Sequence, residues 1–190
     1  MFQLQYDTPP QWAKHVSANL DNFLIDHAAC ERKASATAMS FVVRYRDMPK
    51  LITSMIIVAQ EELEHFAQVT ELILERGLTL GADEKDPYVN AMLKLARHSP
   101  KERLIDRLLI FGVIEGRGCE RFKLLSESDI EPKLQQFYAN LFRAEARHHA
   151  AFLHIVRDLT DEKDWRSRLR FLLEQEAIIV KSLPIRAALH

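Results

Sequence analysis

Glycine and proline are scarce in this 190-residue chain, at five and seven residues. No Asn-Gly or Asp-Gly pair marks a tight hairpin, and few stretches alternate apolar with polar residues. A β-rich fold is therefore excluded, and helices are what remains. Two cysteines, Cys30 and Cys119, are too few for a disulfide framework. No run reaches the roughly 18 apolar residues of a membrane span, and no basic-then-apolar leader opens the chain. A formal net charge of −1 does not advertise a nucleic-acid partner. No His-Glu-x-x-His zinc motif and no flavin or nicotinamide motif occurs. These absences leave a cytoplasmic, helical protein with free thiols and no membrane partner. Its length suits one domain, residues 1–190.

Turn signals divide the chain into helices. Pro9-Pro10 opens a short helix to about Leu20, and Asp21-Asn22 marks a cap or kink. A long helix then runs to about Tyr45, where Met48-Pro49 breaks it. A second covers about 49–76 and ends at Gly77, a left-handed cap candidate. A long connection with one short helix near 88–97 follows. Ser99-Pro100 with Glu102 caps the third long helix, which runs to about Ser126. The fourth runs to about Leu159, and a fifth starts at Thr160-Asp161-Glu162 and ends before Pro184. Two hairpins joined by a long crossover make an all-α four-helix bundle with extra terminal helices.

Within the long helices stand two Glu-x-x-His pairs. QEELEHFAQ carries Glu62 and His65; RAEARHHAAF carries Glu145 and His148. With 16 Glu and 8 His in the chain, about 0.7 such pair is expected by chance, so one alone would mean nothing. Position is more telling. At 1.5 Å per residue, Glu31 and Glu62 each sit about 23 Å from the turn near Asp47, at one level. Glu115 and Glu145 are placed alike about the turn near Asp129–Ile130. Each hairpin thus sets one Glu beside one Glu-x-x-His. LIDHAACER at 24–32 and VIEGRGCER at 113–121 share a Cys-Glu-Arg triplet, which aligns Glu31 with Glu120 instead of Glu115. Glu120 is only about nine residues from its turn, so Glu115 is preferred, with Glu120 read as a surface carboxylate or one paired with Arg117 or Arg121. Four Glu and two His suit iron or manganese and match the ferritin-like carboxylate arrangement. His149 and His154 are left out as ligands. His27, one turn before Glu31, is a candidate to support it. Cys119 shares a helix face with Glu115 and is expected to line the same cavity; Cys30 points away from the face of Glu31 by about 100°.

CERKASA at 30–36, EELEHF at 61–66, IEGRGCERF at 114–122 and RAEARHHAAF at 143–152 make most of the chain resemble the tRNA 2-methylthio-N6-isopentenyladenosine hydroxylases. These are ferritin-like non-haem di-iron monooxygenases. The resemblance implies the ligands Glu31, Glu62, His65, Glu115, Glu145 and His148, with Glu62 and Glu145 bridging two iron ions and Glu31 and Glu115 terminal. It implies O2 as co-substrate, an external electron donor and hence an electron-transfer partner, and hydroxylation of an allylic methyl beside the anticodon. Gly116 and Gly118, each costing a helix about 1 kcal/mol against alanine, would ease movement of Glu115. The tRNA anticodon stem-loop is expected to bind at a basic end comprising Arg44, Arg46, Lys50, Arg97, Lys101 and Arg103, with Lys94, Arg107, Arg157 and Lys163 nearby. The opposite end carries Glu71, Glu75, Glu127, Asp129 and Glu131. A monomer or small homo-oligomer is expected. A ferroxidase or iron-handling protein is the alternative, separable by the shell assembly it needs. A bundle whose carboxylates are merely surface groups would bind no metal.

Overall fold

The computed structural model describes residues 3–190, apart from the side chains of residues 146–150. Its described residues form seven α-helices: α1 Pro10–Ala18, α2 Leu20–Arg44, α3 Pro49–Glu75, α4 Pro87–Leu93, α5 Pro100–Ser126, α6 Pro132–Leu159 and α7 Glu162–Ser182. No strand occurs among them. Five helices start on a proline, at the position where the missing N–H costs nothing. The break expected at Asp21-Asn22 falls earlier, at Asn19, whose side-chain amide donates to the His15 carbonyl and caps nothing ahead of it. The short helix near 88–97 is shorter than expected, ending at Leu93. Gly77 follows α3 with φ +72°, the left-handed geometry that stops the helix. Two compact units result, one holding 15–84 and 186–189, the other 1–14, 85–185 and 190.

In the first unit α2 and α3 form a hairpin about the turn at 45–48. Phe23, Leu24, Phe41, Met55, Val58, Val69 and Ile73 are buried. Each such side chain contributes roughly 1.5–3 kcal/mol of burial. The Ser35 hydroxyl donates to the Ala59 carbonyl across the pair at 2.7 Å, and Arg76 reaches Asp21 at 2.7 Å where the chain leaves α3. The connection then doubles back along α2. Arg32 holds both Asp83 oxygens at 2.5 Å, and Lys33 donates to the Glu84 carbonyl at 2.8 Å. Gly81 lets this segment lie close, since a Cβ there would sit 2.6 Å from a methyl of Ile25.

The second unit is built on the α5–α6 hairpin, with α4 and α7 against it. Phe122 stacks on Tyr138 with centroids 5.6 Å apart, and Phe111 meets Phe152 at 6.3 Å. A polar network fastens the outer pieces. Arg117, fully buried, uses all five of its N–H groups. Nε and Nη2 take the two oxygens of buried Glu176 on α7 at 2.8 and 3.0 Å. Nη1 takes Glu120 at 2.6 Å and the Thr8 hydroxyl at 3.1 Å, and Nη2 also takes the Tyr6 carbonyl at 2.7 Å. Tyr88 on α4 donates to Glu176 at 3.2 Å. At the start of α5, buried Asp106 accepts from Arg97 and from Arg168 of α7. No described helix is long and apolar enough to cross a membrane.

Candidate metal centre

The α2–α3 hairpin brings three of the expected ligands together. Equal distance from one turn sets Glu31 and Glu62 level on facing helices, and His65 follows Glu62 by one turn of α3. Glu31 is 4% exposed, Glu62 0% and His65 7%. One ligand atom from each lies within 4.8 Å of the others. His65 Nδ1 is 3.4 Å from a Glu62 oxygen. His27, wholly buried one turn before Glu31, places Nε2 2.5 Å from Glu31 Oε1. An ionised carboxylate only accepts, so that nitrogen carries the proton and fixes the orientation of Glu31. Two carboxylates and an imidazole out of water are costly unless paired or bound to a cation. This donor set of hard oxygens and one borderline nitrogen fits iron or manganese.

The α5–α6 hairpin repeats the pattern in its own unit. Glu145 on α6 is 1% exposed, and Glu115 on α5 is half-buried. The side chains of His148 and His149 lie outside the described residues. His154 is exposed. Cys119, one turn beyond Glu115, donates its thiol to the Phe142 carbonyl at 3.5 Å. Burial pushes this thiol up to about 12, helped by the negative charges of Glu145, Glu115 and Glu120. The group therefore stays protonated near neutrality, while sensing both carboxylates expected as ligands. Cys30 lies beside Asp26, with Sγ 3.8 Å from a carboxylate oxygen.

Glu120 has a different task. Its carboxylate accepts from the Thr8 N–H at 2.6 Å, the Thr8 hydroxyl at 2.7 Å and Arg117 at 2.6 Å. Those three donors tie the amino-terminal segment to α5. The shared Cys-Glu-Arg triplet thus does not give Glu31 and Glu120 the same surroundings.

The family model described as tRNA-(MS[2]IO[6]A)-hydroxylase (MiaE) matches residues 2–190. The chain belongs to this family. Among its curated relatives, the tRNA 2-(methylsulfanyl)-N(6)-isopentenyladenosine(37) hydroxylase of Pseudomonas putida strain KT2440 is 33% identical over 175 residues, 92% of this chain and 85% of that one. The protein of the same name from Salmonella typhimurium strain LT2 is 29% identical over 228 residues, 94% and 84% of the two chains. A solved structure from Synechococcus, described as Protein 43 with aldehyde deformylating oxygenase activity, superposes with a TM-score of 0.94 at 32% identity, covering 98% of this chain and 93% of that one. The MiaE-family chain therefore has the all-α, ferritin-like fold expected from its helix hairpins.

The basic residues expected to meet RNA differ in their exposure and surroundings. Arg44, Arg46 and Lys50 are exposed around the α2–α3 turn, and Lys101 and Arg103 are exposed on the first turn of α5. Arg97 is tied to acidic neighbours. It binds Asp106 through Nε, Nη2 and its backbone N–H, and Glu102 through Nη1 at 2.7 Å. Arg97 therefore secures the turn that leads into α5.

Proposed function

We propose that this protein is an O2-dependent hydroxylase of tRNA, acting on the isopentenyl group of 2-methylthio-N6-isopentenyladenosine beside the anticodon. The observation that carries the reading is the buried Glu31, Glu62 and His65 cluster on one hairpin of a chain matched by the hydroxylase family from end to end. Two iron ions would be held by Glu31, Glu62, His65, Glu115, Glu145 and His148. Such a pair supplies O2 activation and the oxidising power to hydroxylate an allylic methyl.

The chain's own groups do the rest. Glu62 and Glu145 are the more deeply buried carboxylates of their hairpins, and with Glu31 and Glu115 they would supply the oxygen ligands. Burial shields Glu31, Glu62 and Glu145 from water. His27 donates to Glu31 and holds that carboxylate in one orientation. Cys119 contributes a neutral thiol, so it adds no competing thiolate. Arg44, Arg46, Lys50, Lys101 and Arg103 are proposed to meet phosphates of the anticodon stem-loop, with Arg97 shaping the turn beside Lys101. Electrons would come from a separate donor protein.

A second reading has its own support. Identity to the Synechococcus protein with aldehyde deformylating oxygenase activity, 32%, is close to the 33% shared with the P. putida hydroxylase. One experiment separates the two. The iron-loaded protein, with a reductant and O2, is given tRNA carrying the modified adenosine, and in parallel an aldehyde. Mass spectrometry of the digested nucleosides should show a gain of one oxygen on the modified adenosine. Unchanged nucleosides together with formate released from the aldehyde would replace this reading with the second.

A further inference from the structure

On the second unit, α6 and α7 leave between them a cleft of about 370 Å³. Arg157 from α6 and Arg166 and Arg170 from α7 line it, with Leu153, Trp165 and Leu169. None of its lining residues is acidic. The pattern is written into α7: Arg166 and Arg170 stand four residues apart and share a face with Leu169 and Leu173, so the leucines anchor the helix while the arginines flank the opening. Trp165 is buried, 4% exposed, and acts as a fixed floor. The Arg157 and Arg166 guanidinium carbons lie 5.5 and 4.9 Å from its ring centroid. Contact with the same ring restrains both forks. Arg166 also pairs with Glu162 through Nε and Nη2 at 2.6 Å, an exposed i,i+4 contact. Arg170 is exposed and makes no ion pair among the described residues.

We infer that this cleft grips the phosphodiester backbone of the RNA substrate, an assignment that rests on the tRNA reading above. Guanidinium forks match phosphate oxygens two at a time, which a free aldehyde would not engage. The buried Trp165 cannot stack on a base, so the cleft fixes position and not sequence. Its location agrees. The α5–α6 hairpin carries the end of α6 to the start of α5, and Arg168 of α7 ties into Asp106 there. Lys101 and Arg103, exposed at that start, extend the same basic end of the unit. Asp161, Glu162 and Asp164 crowd the first turn of α7 but do not line the cleft.

The test uses iron-loaded full-length protein and fluorescent anticodon stem-loop RNA, with and without the modified adenosine, titrated at several salt concentrations. Arg170→Gln is the mild variant, and Arg157→Gln with Arg170→Gln the strong one. The strong variant should weaken both RNAs on the order of tenfold and lower the salt slope by about two, one for each phosphate that is no longer neutralised. Iron content and thermal midpoint should stay as in the wild type. Unchanged affinity and slope in variants of a wild type that binds RNA would overturn the cleft assignment alone. Wild-type protein that binds neither RNA would remove the tRNA reading with it. Inorganic phosphate competing as well as RNA at equal phosphate concentration would mark a free-anion site and also overturn the proposal. So would variants that bind RNA normally but lose reduction by a donor protein, since the cleft would then face a protein.

Discussion

Replacing Glu176 with Gln tests whether the buried network on α5 holds its unit together. In the native chain the Glu176 carboxylate faces Arg117 through two bonds of 2.8 and 3.0 Å, with both side chains fully buried. Burial alone would lower the affinity of Arg117 for its proton. The hydrogen bonds and charge of Glu176, with the charge of Glu120, instead raise its affinity for the proton. Arg117 thus stays charged in the variant and loses its main counter-charge, while the new amide turns a donor towards it. Breaking one partner out of a buried pair costs about 3–5 kcal/mol. Glu120 and the Tyr6 carbonyl still accept from Arg117, so the lower figure, about 3 kcal/mol, is expected. For a chain of this size that is a drop of about 6–12 °C in thermal midpoint. Differential scanning calorimetry of the metal-free protein measures it without interference from bound iron. Arg117→Met with Glu176→Leu, which removes both charges, should recover most of the loss. A loss below about 1 kcal/mol for Glu176→Gln would refute the argument that this pair sits out of reach of water.

Glu120→Ala removes three hydrogen bonds at the amino-terminal segment and should cost about 1–3 kcal/mol in urea unfolding. It should leave iron binding intact, whereas Glu115→Ala should lower it; the reverse would make Glu120 the ligand. Asp86 gives an acid limb. Burial alone would raise its pKa, but the bond to His190, that ring's charge and the Val89 and Tyr88 N–H groups together hold it down at about 2, from a usual 3.8. Its contribution, on the order of 2 kcal/mol, is complete above about pH 4 and vanishes as pH falls through 2. Asp86→Asn should accordingly flatten the fall in unfolding free energy between those values, and an unchanged slope would contradict the assignment. Changing Cys30 and Cys119 together to Ser should leave the metal count unaltered by elemental analysis, because neither is among the proposed ligands. Loss of one iron would show that a sulfur is a ligand.

Local chemistry made most of the helices readable. Pro49, Pro100 and Pro132 each begin a helix, and Gly77 ends one, because their backbone preferences act without help from the rest of the fold. Glu31, Glu62 and His65 were legible for a similar reason, since helical rise converts residue counts from a shared turn into height. Asn19 was missed as the break after α1 because no side-chain cap marks it. The partners of Arg117 were hidden for a different reason. Glu176 is 59 residues away and Tyr6 111, and no periodicity encodes which distant element will cover a charged side chain. Arg97 looked like a free surface cation until Asp106, nine residues on, closed over it in the fold. The cleft arginines Arg166 and Arg170 were not read as a site from the sequence, because only packing against α6 turns that stripe of α7 into a concave surface.

The most direct test of the account is the iron-to-protein ratio of purified, iron-reconstituted protein, taken for the wild type and for Glu62→Ala. Glu62 is fully buried within the cluster and is proposed to hold iron, so its loss should lower the metal content. Two irons per chain in the wild type, falling to one or fewer in the variant with the fold retained by circular dichroism, is the expected result. A wild type holding a single tightly bound zinc, or a Glu62→Ala protein that keeps both irons, would contradict it.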